Sequence, residues 1–173
     1  NADPGQWGDN LDDNYRYGLA EIPFIRRGDS AYVIVEGPTW EEAEANAVAL
    51  GGHLVTINDA EENEWILNNL EWIKRAYWIG LNDQDKEGTT VWSSGETSSY
   101  RNSPSSDYDG TEDWFSIINQ SGEWNDLTQT PGDWSMGQWE MEYGIAEIPL
   151  APNNTPSGTP TLNGDFKVGQ TIS

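Results

Sequence analysis

The first clear pattern of apolar and polar positions predicts a helix that begins near residue 39. The sequence Thr39-Trp40-Glu41-Glu42 is a capping box, in which the threonine hydroxyl accepts a hydrogen bond from a backbone amide and Glu42 reaches back. Apolar residues then recur at helical spacing, namely Trp40, Ala43, Ala47 and Leu50. The pair Gly51-Gly52 follows, and glycine readily takes the left-handed conformation that ends a helix.

A second helix is predicted to open at Asn58 or Asp59, because Glu61 and Glu62 stand where a reciprocal capping bond would form. Its apolar positions are Trp65, Ile66 and Leu70. Between the two helices, residues 53–57 are mostly apolar, which predicts a short strand or an extended link.

After the second helix the pattern changes to short apolar runs separated by polar loops. Residues 77–81, 114–118 and 144–148 are each predicted to form a short strand. Residues 93–111 consist almost wholly of Ser, Gly, Asp, Asn, Thr and Tyr. A loop of that length in a compact domain is more often functional than not.

A short internal repeat links the two ends of the chain. Residues 17–24, Tyr-Gly-Leu-Ala-Glu-Ile-Pro-Phe, nearly duplicate residues 143–150, and residues 5–9 match residues 122–126 upstream of them. We interpret residues 1–24 as the tail of a preceding copy of the same domain, so that the parent protein is a tandem array. The alternative is that both segments are edge strands of one domain that share a motif by chance.

The composition changes again after residue 150. Residues 151–160 are rich in Pro, Asn, Thr and Ser, as is typical of linkers. Residues 161–173 then alternate like a strand, a hairpin and a second strand, and they resemble the opening of Ig-like β-sandwich repeats in large bacterial surface proteins. We therefore assign residues 25–150 to the main domain and residues 151–173 to a linker and the start of an Ig-like β module.

Charge and cysteine content narrow the possible functions. The net charge of −22 argues against nucleic acid as a partner, because phosphates would be repelled. Such a surface either attracts divalent cations or serves solvation, and charge alone leaves both open.

The chain has no cysteine, so disulfides and thiolate metal sites are excluded. No apolar run reaches the roughly 18 residues of a spanning helix, so no membrane insertion is expected.

Six motifs in order between residues 25 and 150 resemble the C-type lectin-like domain. They are the opening strand at residues 30–35, the first helix, Gly51-Gly52-His53-Leu54-Val55-Thr56-Ile57, the second helix, Trp78-Ile79-Gly80-Leu81 and Trp124-Asn125-Asp126. The resemblance implies an α+β fold, with two helices packed on short antiparallel sheets and long polar loops that hold calcium.

The family usually carries two disulfides, and all four positions are replaced here. Ala47 and Ala146 stand where a bridge normally ties the first helix to the last strand, and Trp114 and Gln129 stand at the second pair. Each missing bridge gives up about 2–4 kcal/mol in the chain-entropy account. An aromatic core and bound cations would offset that loss. The alignment predicts that the Cα atoms of Ala47 and Ala146 lie roughly 4.4–6.8 Å apart.

The resemblance also implies a calcium site in the long loops. Calcium is held by several oxygen ligands, mostly from carboxylates, carbonyls and water. The predicted ligands, drawn from three separate segments, are Asp83, Glu87, Asp107, Glu112 and Asp113. The alternative is an acidic loop surface that is merely solvated.

The family's second calcium site, which also holds the sugar, is incomplete in this sequence. The loop that normally supplies two of its ligands reads Asn102-Ser103-Pro104-Ser105-Ser106-Asp107. Those ligands fall on Pro104 and Ser106 in one register and on Ser103 and Ser105 in the other. Neither register restores the carboxylate and amide that chelate sugar hydroxyls.

The remaining ligands of this second site are Glu112, Asn125 and Asp126. If a ligand binds, we expect it where these polar groups meet two nearby aromatic residues, Tyr100 and Tyr108. Simple monosaccharides are expected to bind weakly there.

These patterns predict a calcium-binding recognition module of a large extracellular or cell-surface bacterial protein, which binds glycan or another surface ligand in adhesion. The alternative is a structural spacer or protein-interaction module in the array, stabilised by calcium without binding sugar. The expected partners are that ligand and the neighbouring domains of the same polypeptide. No enzyme is expected, because His53 lies in a segment that should be buried and is interpreted as a packed core residue.

Overall fold

The structure of the chain, a computed structural model, describes residues 22–103, 112–128 and 141–151. Its elements are β1 Ile25–Arg27, β2 Ser30–Glu36, α1 Trp40–Ala49, β3 His53–Leu54, α2 Ala60–Asn69, β4 Ala76–Asn82, β5 Val91–Trp92, β6 Trp114–Ile118, β7 Trp124–Leu127 and β8 Tyr143–Pro149. The predictions for Asp107, Tyr108 and Gln129 lie outside the described residues, as does most of the predicted preceding copy and of the C-terminal module.

Both predicted helices are present, and their caps are made by the expected side chains. Thr39 caps α1, with its Oγ1 accepting from the Glu42 amide at 3.2 Å. Of the two predicted starts of α2, Asp59 is the cap, since its Oδ1 accepts from the Glu62 amide at 2.8 Å. The Glu62 side chain makes the reciprocal bond to the residue before the cap, because its Oε2 accepts from the Asn58 amide at 2.9 Å.

The two glycines after α1 have different physical roles. Gly51 has a φ of 90° and makes the left-handed turn that the sequence predicts. Gly52 is needed for space instead, because a Cβ there would lie 2.0 Å from the backbone oxygen of Glu147. The absence of a side chain at Gly52 lets the chain after α1 pass directly against the backbone of β8.

The strands form one eight-stranded sheet with the order β1-β2-β8-β4-β6-β7, and β3 and β5 add to β8 and β4. The α+β class with two helices is confirmed. The sheet is not wholly antiparallel, because β4 and β8 pair in parallel at Trp78 and Gly144. β8 therefore lies in the middle of the sheet, between β2 and β4.

Two clusters of buried side chains pack the helices onto this sheet. Ile66 of α2 belongs to the larger, aromatic-rich cluster, together with Trp124. Ala47 of α1 and Ala146 of β8 are both fully buried in the second cluster. The two positions that replace the first disulfide therefore belong to the same packed core, although their Cα separation stays a prediction.

The interpretation of His53 as a core residue is wrong. Its side chain is 44% exposed, and its Nδ1 lies 2.6 Å from Glu44 Oε1. Glu44 also accepts from the Leu54 amide at 2.8 Å and from Ser93 Oγ at 3.1 Å. The alternation of the short β3 strand turns Leu54 into the core and His53 toward this carboxylate.

Candidate calcium and ligand site

The pairing of β4 with β6 brings two of the predicted calcium ligands together. Asn82 at the end of β4 is the partner of Trp114 at the start of β6. The next antiparallel pair would be Asp83 and Asp113, and the Asp83 amide donates to the Asp113 carbonyl at 3.0 Å. The strand register therefore fixes both carboxylates at the same end of the sheet.

The Asp83 carboxylate is held in an unusual environment for an acidic group. It is 1% exposed, and its Oδ2 accepts from the Gly88 amide at 2.9 Å. Within the described residues, its Oδ1 is buried and has no hydrogen-bond partner. A buried carboxylate oxygen left without a partner is costly, so the geometry calls for a further donor or a cation.

The electrostatics of Asp113 favour the same conclusion. Burial, and then the negative charge of Asp83, raise the pKa of the Asp113 carboxyl above its ordinary value. A divalent cation between the two groups would relieve that repulsion. The donor set consists of hard oxygens, which suits calcium or magnesium and not metals that prefer sulfur or nitrogen.

Two of the remaining predicted ligands, Glu87 and Glu112, lie within the described residues. Glu87 lies exposed in the turn after Asp83, and Glu112 is half-buried next to Asp113. In the described ranges, no group of three or more acidic or histidine side chains is placed to hold a metal ion. The set that includes Asp107, which lies outside those ranges, therefore stays a prediction.

The two remaining side chains of the second site lie on β7 and are buried. Asn125 is 9% exposed and Asp126 is 1% exposed. The Asn125 side-chain amide donates to the backbone oxygen of Asp126 at 2.8 Å, and Ser116 of β6 donates to the Asn125 carbonyl at 3.3 Å. Both side chains are thus part of the folded sheet and not of an open surface.

Tyr100 packs onto this strand, and its place on the predicted ligand surface stays a prediction. Its ring lies edge-on to Trp124, with the centroids 5.4 Å apart. The Trp124 amide donates to the Asn102 carbonyl at 2.8 Å, which fastens the loop along β7. Burial, and then the charge of Asp59, raise the pKa of Tyr100 above its ordinary value.

Sequence reasoning missed a polar cluster at the other side of β8. Tyr32 OH donates to Glu62 Oε1 at 2.5 Å and lies 3.3 Å from Glu147 Oε1. Arg27 approaches Glu62 at 3.3 Å. Glu62 gives only a capping signal in the sequence, and no local pattern reveals that β2, α2 and β8 meet there.

A cleft of about 330 Å³ opens beside this cluster. Its lining includes Ser30, His53, Thr56, Ser94, Glu96 and Glu147. Burial raises the pKa of Glu147 above its ordinary value of 4.5, and the charges of Glu62 and Glu96 act in the same direction. Hydrogen bonds from Ser30 and Tyr32 oppose this shift.

The variant Glu147→Gln should be more stable than the natural chain at neutral pH. A carboxyl whose folded pKa is raised contributes stability that is present below its unfolded pKa and lost as the pH rises through its folded pKa. Glutamine keeps an acceptor oxygen for Tyr32 and carries no charge, so the variant avoids that loss. Melting curves between about pH 4 and pH 8 measure the gap, which should open as the pH rises.

The exposed Glu36 at the end of β2 provides the matched control, because Glu36→Gln makes the same change of charge at the surface. Its melting temperature should follow that of the natural chain across the pH range. A gap for Glu147→Gln that is constant with pH, or as large for Glu36→Gln, would contradict the assigned effect of burial.

Comparison with known families and relatives identifies similar sequences. A family model described as "Lectin C-type domain" matches residues 36–132. Human C-type mannose receptor 2 is 29% identical over 122 residues, which covers 63% of this chain and 8% of the receptor. A perlucin-like protein of Mytilus galloprovincialis is 30% identical over 101 residues, covering 53% of this chain and 64% of that protein. The matched part thus spans less than two thirds of these relatives.

Solved structures are similar over most of the chain. The mouse scavenger receptor C-type lectin carbohydrate-recognition domain is 26% identical with a TM-score of 0.60, covering 74% of this chain and 96% of that domain. The cow CD23 carbohydrate-recognition domain, solved in the presence of a GlcNAc2Man3 oligosaccharide, is 25% identical with a TM-score of 0.62. The match covers 78% of this chain and 98% of that domain. In the described part of this chain, no helix has the length and apolar character needed to cross a membrane.

Proposed function

Because the chain belongs to the C-type lectin domain family, whose members are non-enzymatic carbohydrate-binding receptors and lectins, we propose that it is a calcium-dependent module that binds glycan. The observation that carries the calcium part is the buried Asp83 carboxylate, whose Oδ1 has no partner within the described residues. Asp113 stands beside it with a raised pKa. Both features are what a site prepared for a cation would have.

The proposed calcium ligands are Asp83 and Asp113 at the ends of β4 and β6, completed by Asp107, Glu87 and Glu112 from the adjoining loops. Calcium bound there would join the loops and fix the polar surface that meets the ligand. Asp83 is already oriented by the amide of Gly88, so the protein supplies at least one prepared oxygen before the ion arrives.

The proposed ligand is glycan, in an extracellular or cell-surface protein with a role in adhesion. Support comes from the relatives: one is named a mannose receptor, and the cow CD23 domain was solved in the presence of an oligosaccharide. In this chain the contact surface would lie around Tyr100 and β7, with Tyr108, Glu112, Asn125 and Asp126 contributing.

A calcium-stabilised spacer is the second candidate, and the burial of Asn125 and Asp126 favours it. Side chains so enclosed reach an external ligand only if the neighbouring loops admit it. A calcium-independent type II antifreeze protein, 20% identical with a TM-score of 0.63, has the same fold. The fold alone therefore does not decide between recognition and structural support.

Titration with monosaccharides should detect only millimolar or weaker binding. In the loop at residues 102–107, neither of the two sugar-ligand positions has a carboxylate or an amide, and each lost charge-assisted hydrogen bond removes ~1.5–3 kcal/mol. Binding to glycans displayed at high density should be stronger through avidity. The measurements are calorimetry with mannose and galactose and a glycan array, each in calcium and in chelator.

An array signal that chelator abolishes supports recognition of glycan. Micromolar binding of a monosaccharide by this chain would show that the assigned site is wrong. An array without any signal, combined with a calcium-dependent rise in melting temperature, would favour the spacer.

A further inference from the structure

The repeated segment has strict packing requirements in the structure. Residues 143–150 contain β8, the strand that pairs with β2, β3 and β4. A Cβ on Gly144 would lie 2.6 Å from Leu54 Cδ2 and 3.0 Å from Ala43 Cβ, so a larger residue there would have to displace buried side chains. The repeat at residues 17–24 has glycine at the equivalent position, Gly18.

The other constrained positions of β8 are also matched. Ile145 and Ala146 are fully buried, and the repeat supplies Leu19 and Ala20. Glu147, which meets Tyr32, is matched by another glutamate in the repeat. A chance edge-strand motif has no reason to match the buried positions of β8, whereas the last strand of an equivalent domain would match them.

The distance in sequence between this segment and β1 is unusually short. β8 ends at Pro149, which corresponds to Pro23, and β1 begins at Ile25. Only Phe24 would separate the last strand of the preceding copy from the first strand of this one. We propose that successive copies of this domain join without a linker and that they share an apolar interface at Phe24.

The exposure of Phe24 supports this interface. Its side chain is 56% exposed, so an apolar ring stands at the position in the chain that would join the two copies. Ile22 is 44% exposed, but it corresponds to Ile148, which packs on the core of its own copy. Phe24 corresponds to Leu150, which is not part of either core cluster. A preceding copy at the junction would cover the Phe24 ring.

The connection that follows the domain differs in length from the one that precedes it. After β8 the Leu150 amide donates to the Asp29 carbonyl at 2.7 Å, and residues 151–160 then have the composition of a spacer. Domains joined by few residues have little freedom of orientation, whereas longer Pro-rich connections hold them apart. Copies joined at Phe24 should therefore behave as one rigid body.

The test is a two-copy polypeptide made of residues 25–142 followed directly by residues 17–150. Residues 17–24 then supply the last strand of the first copy and its junction with the second. Nitrogen-15 relaxation should show that both copies tumble together. The comparison is the same polypeptide with a short Gly-Ser insertion between Phe24 and Ile25, in which the copies should tumble independently.

Phe24→Ser separates the interface from effects within one copy. In the 173-residue chain it should leave the melting temperature unchanged, whereas in the two-copy polypeptide it should lower it by about 4 °C. Leu150→Ser, at the equivalent position with no copy after it, is the matched control and should have no such effect. Equal effects of the two substitutions, or independent tumbling without the insertion, would overturn the proposal. Folding of the polypeptide only when the insertion is present would do so as well.

Discussion

Removal of calcium by a chelator will lower the melting temperature of the chain by about 5–10 °C, and Asp83→Asn will abolish this difference. A ligand at about 100 times its Kd stabilises the folded state by ~2.7 kcal/mol. For a protein of this size that free energy corresponds to roughly 5–10 °C. The effect depends on Asp83 because its buried Oδ1 has no partner within the described residues, and an asparagine at this position would carry no charge to attract the ion.

The adjacent loop offers a matched control for this experiment. Asp85 is exposed two residues further on, so Asp85→Asn removes the same charge without touching the proposed site. That variant should keep the full response to calcium. Identical melting curves of the natural chain with and without chelator would contradict the site, and an equal loss in both variants would show a nonspecific effect of charge.

The second large effect concerns the two glycines that follow α1. Gly52→Ala should destabilise the fold by at least about 3 kcal/mol, because its Cβ would meet the backbone of Glu147 and Ile148 at 2.0–2.9 Å. Backbone atoms in the centre of a sheet cannot move aside as a flexible side chain can. The expected shift in melting temperature is about 6–12 °C.

Gly51→Ala is the matched control for this substitution. Gly51 has open space around its Cβ position and a φ of 90°, so alanine there suffers only backbone strain. That strain costs roughly 1–2 kcal/mol, and reduced freedom of the unfolded chain offsets part of it. Thermal unfolding of both variants measures the difference. A Gly52→Ala variant no less stable than Gly51→Ala would contradict the close approach of α1 and β8.

The helices could be predicted from the sequence because their signals are local. Thr39 and Asp59 make cap bonds to residues three positions away, and Gly51 turns the chain on its own. Strands β1 and β5 have only three and two residues, too few for a pattern of alternation. Their existence depends on partners elsewhere in the sheet.

In the candidate site, too, the residues named by local motifs could be predicted, whereas features that depend on tertiary packing could not. Resemblance to the family singles out Asp83 and Asp113, and the register of β4 with β6 explains why they meet. The burial of Asn125 and Asp126 depends on how β7 packs, which no spacing reveals. The same holds for Tyr32, whose partners come from α2 and β8.

The position of β8 has a consequence for the order of events during protein synthesis. This last strand of the domain lies in the middle of the sheet, where it pairs with β2 and joins it to β4. The two halves of the sheet therefore cannot be joined until residue 149 has been synthesised and has left the ribosome. Pairings between such distant parts of a chain form slowly. In a tandem array each copy would wait, incomplete, for its own final strand, and that interval is when chaperones would be most needed.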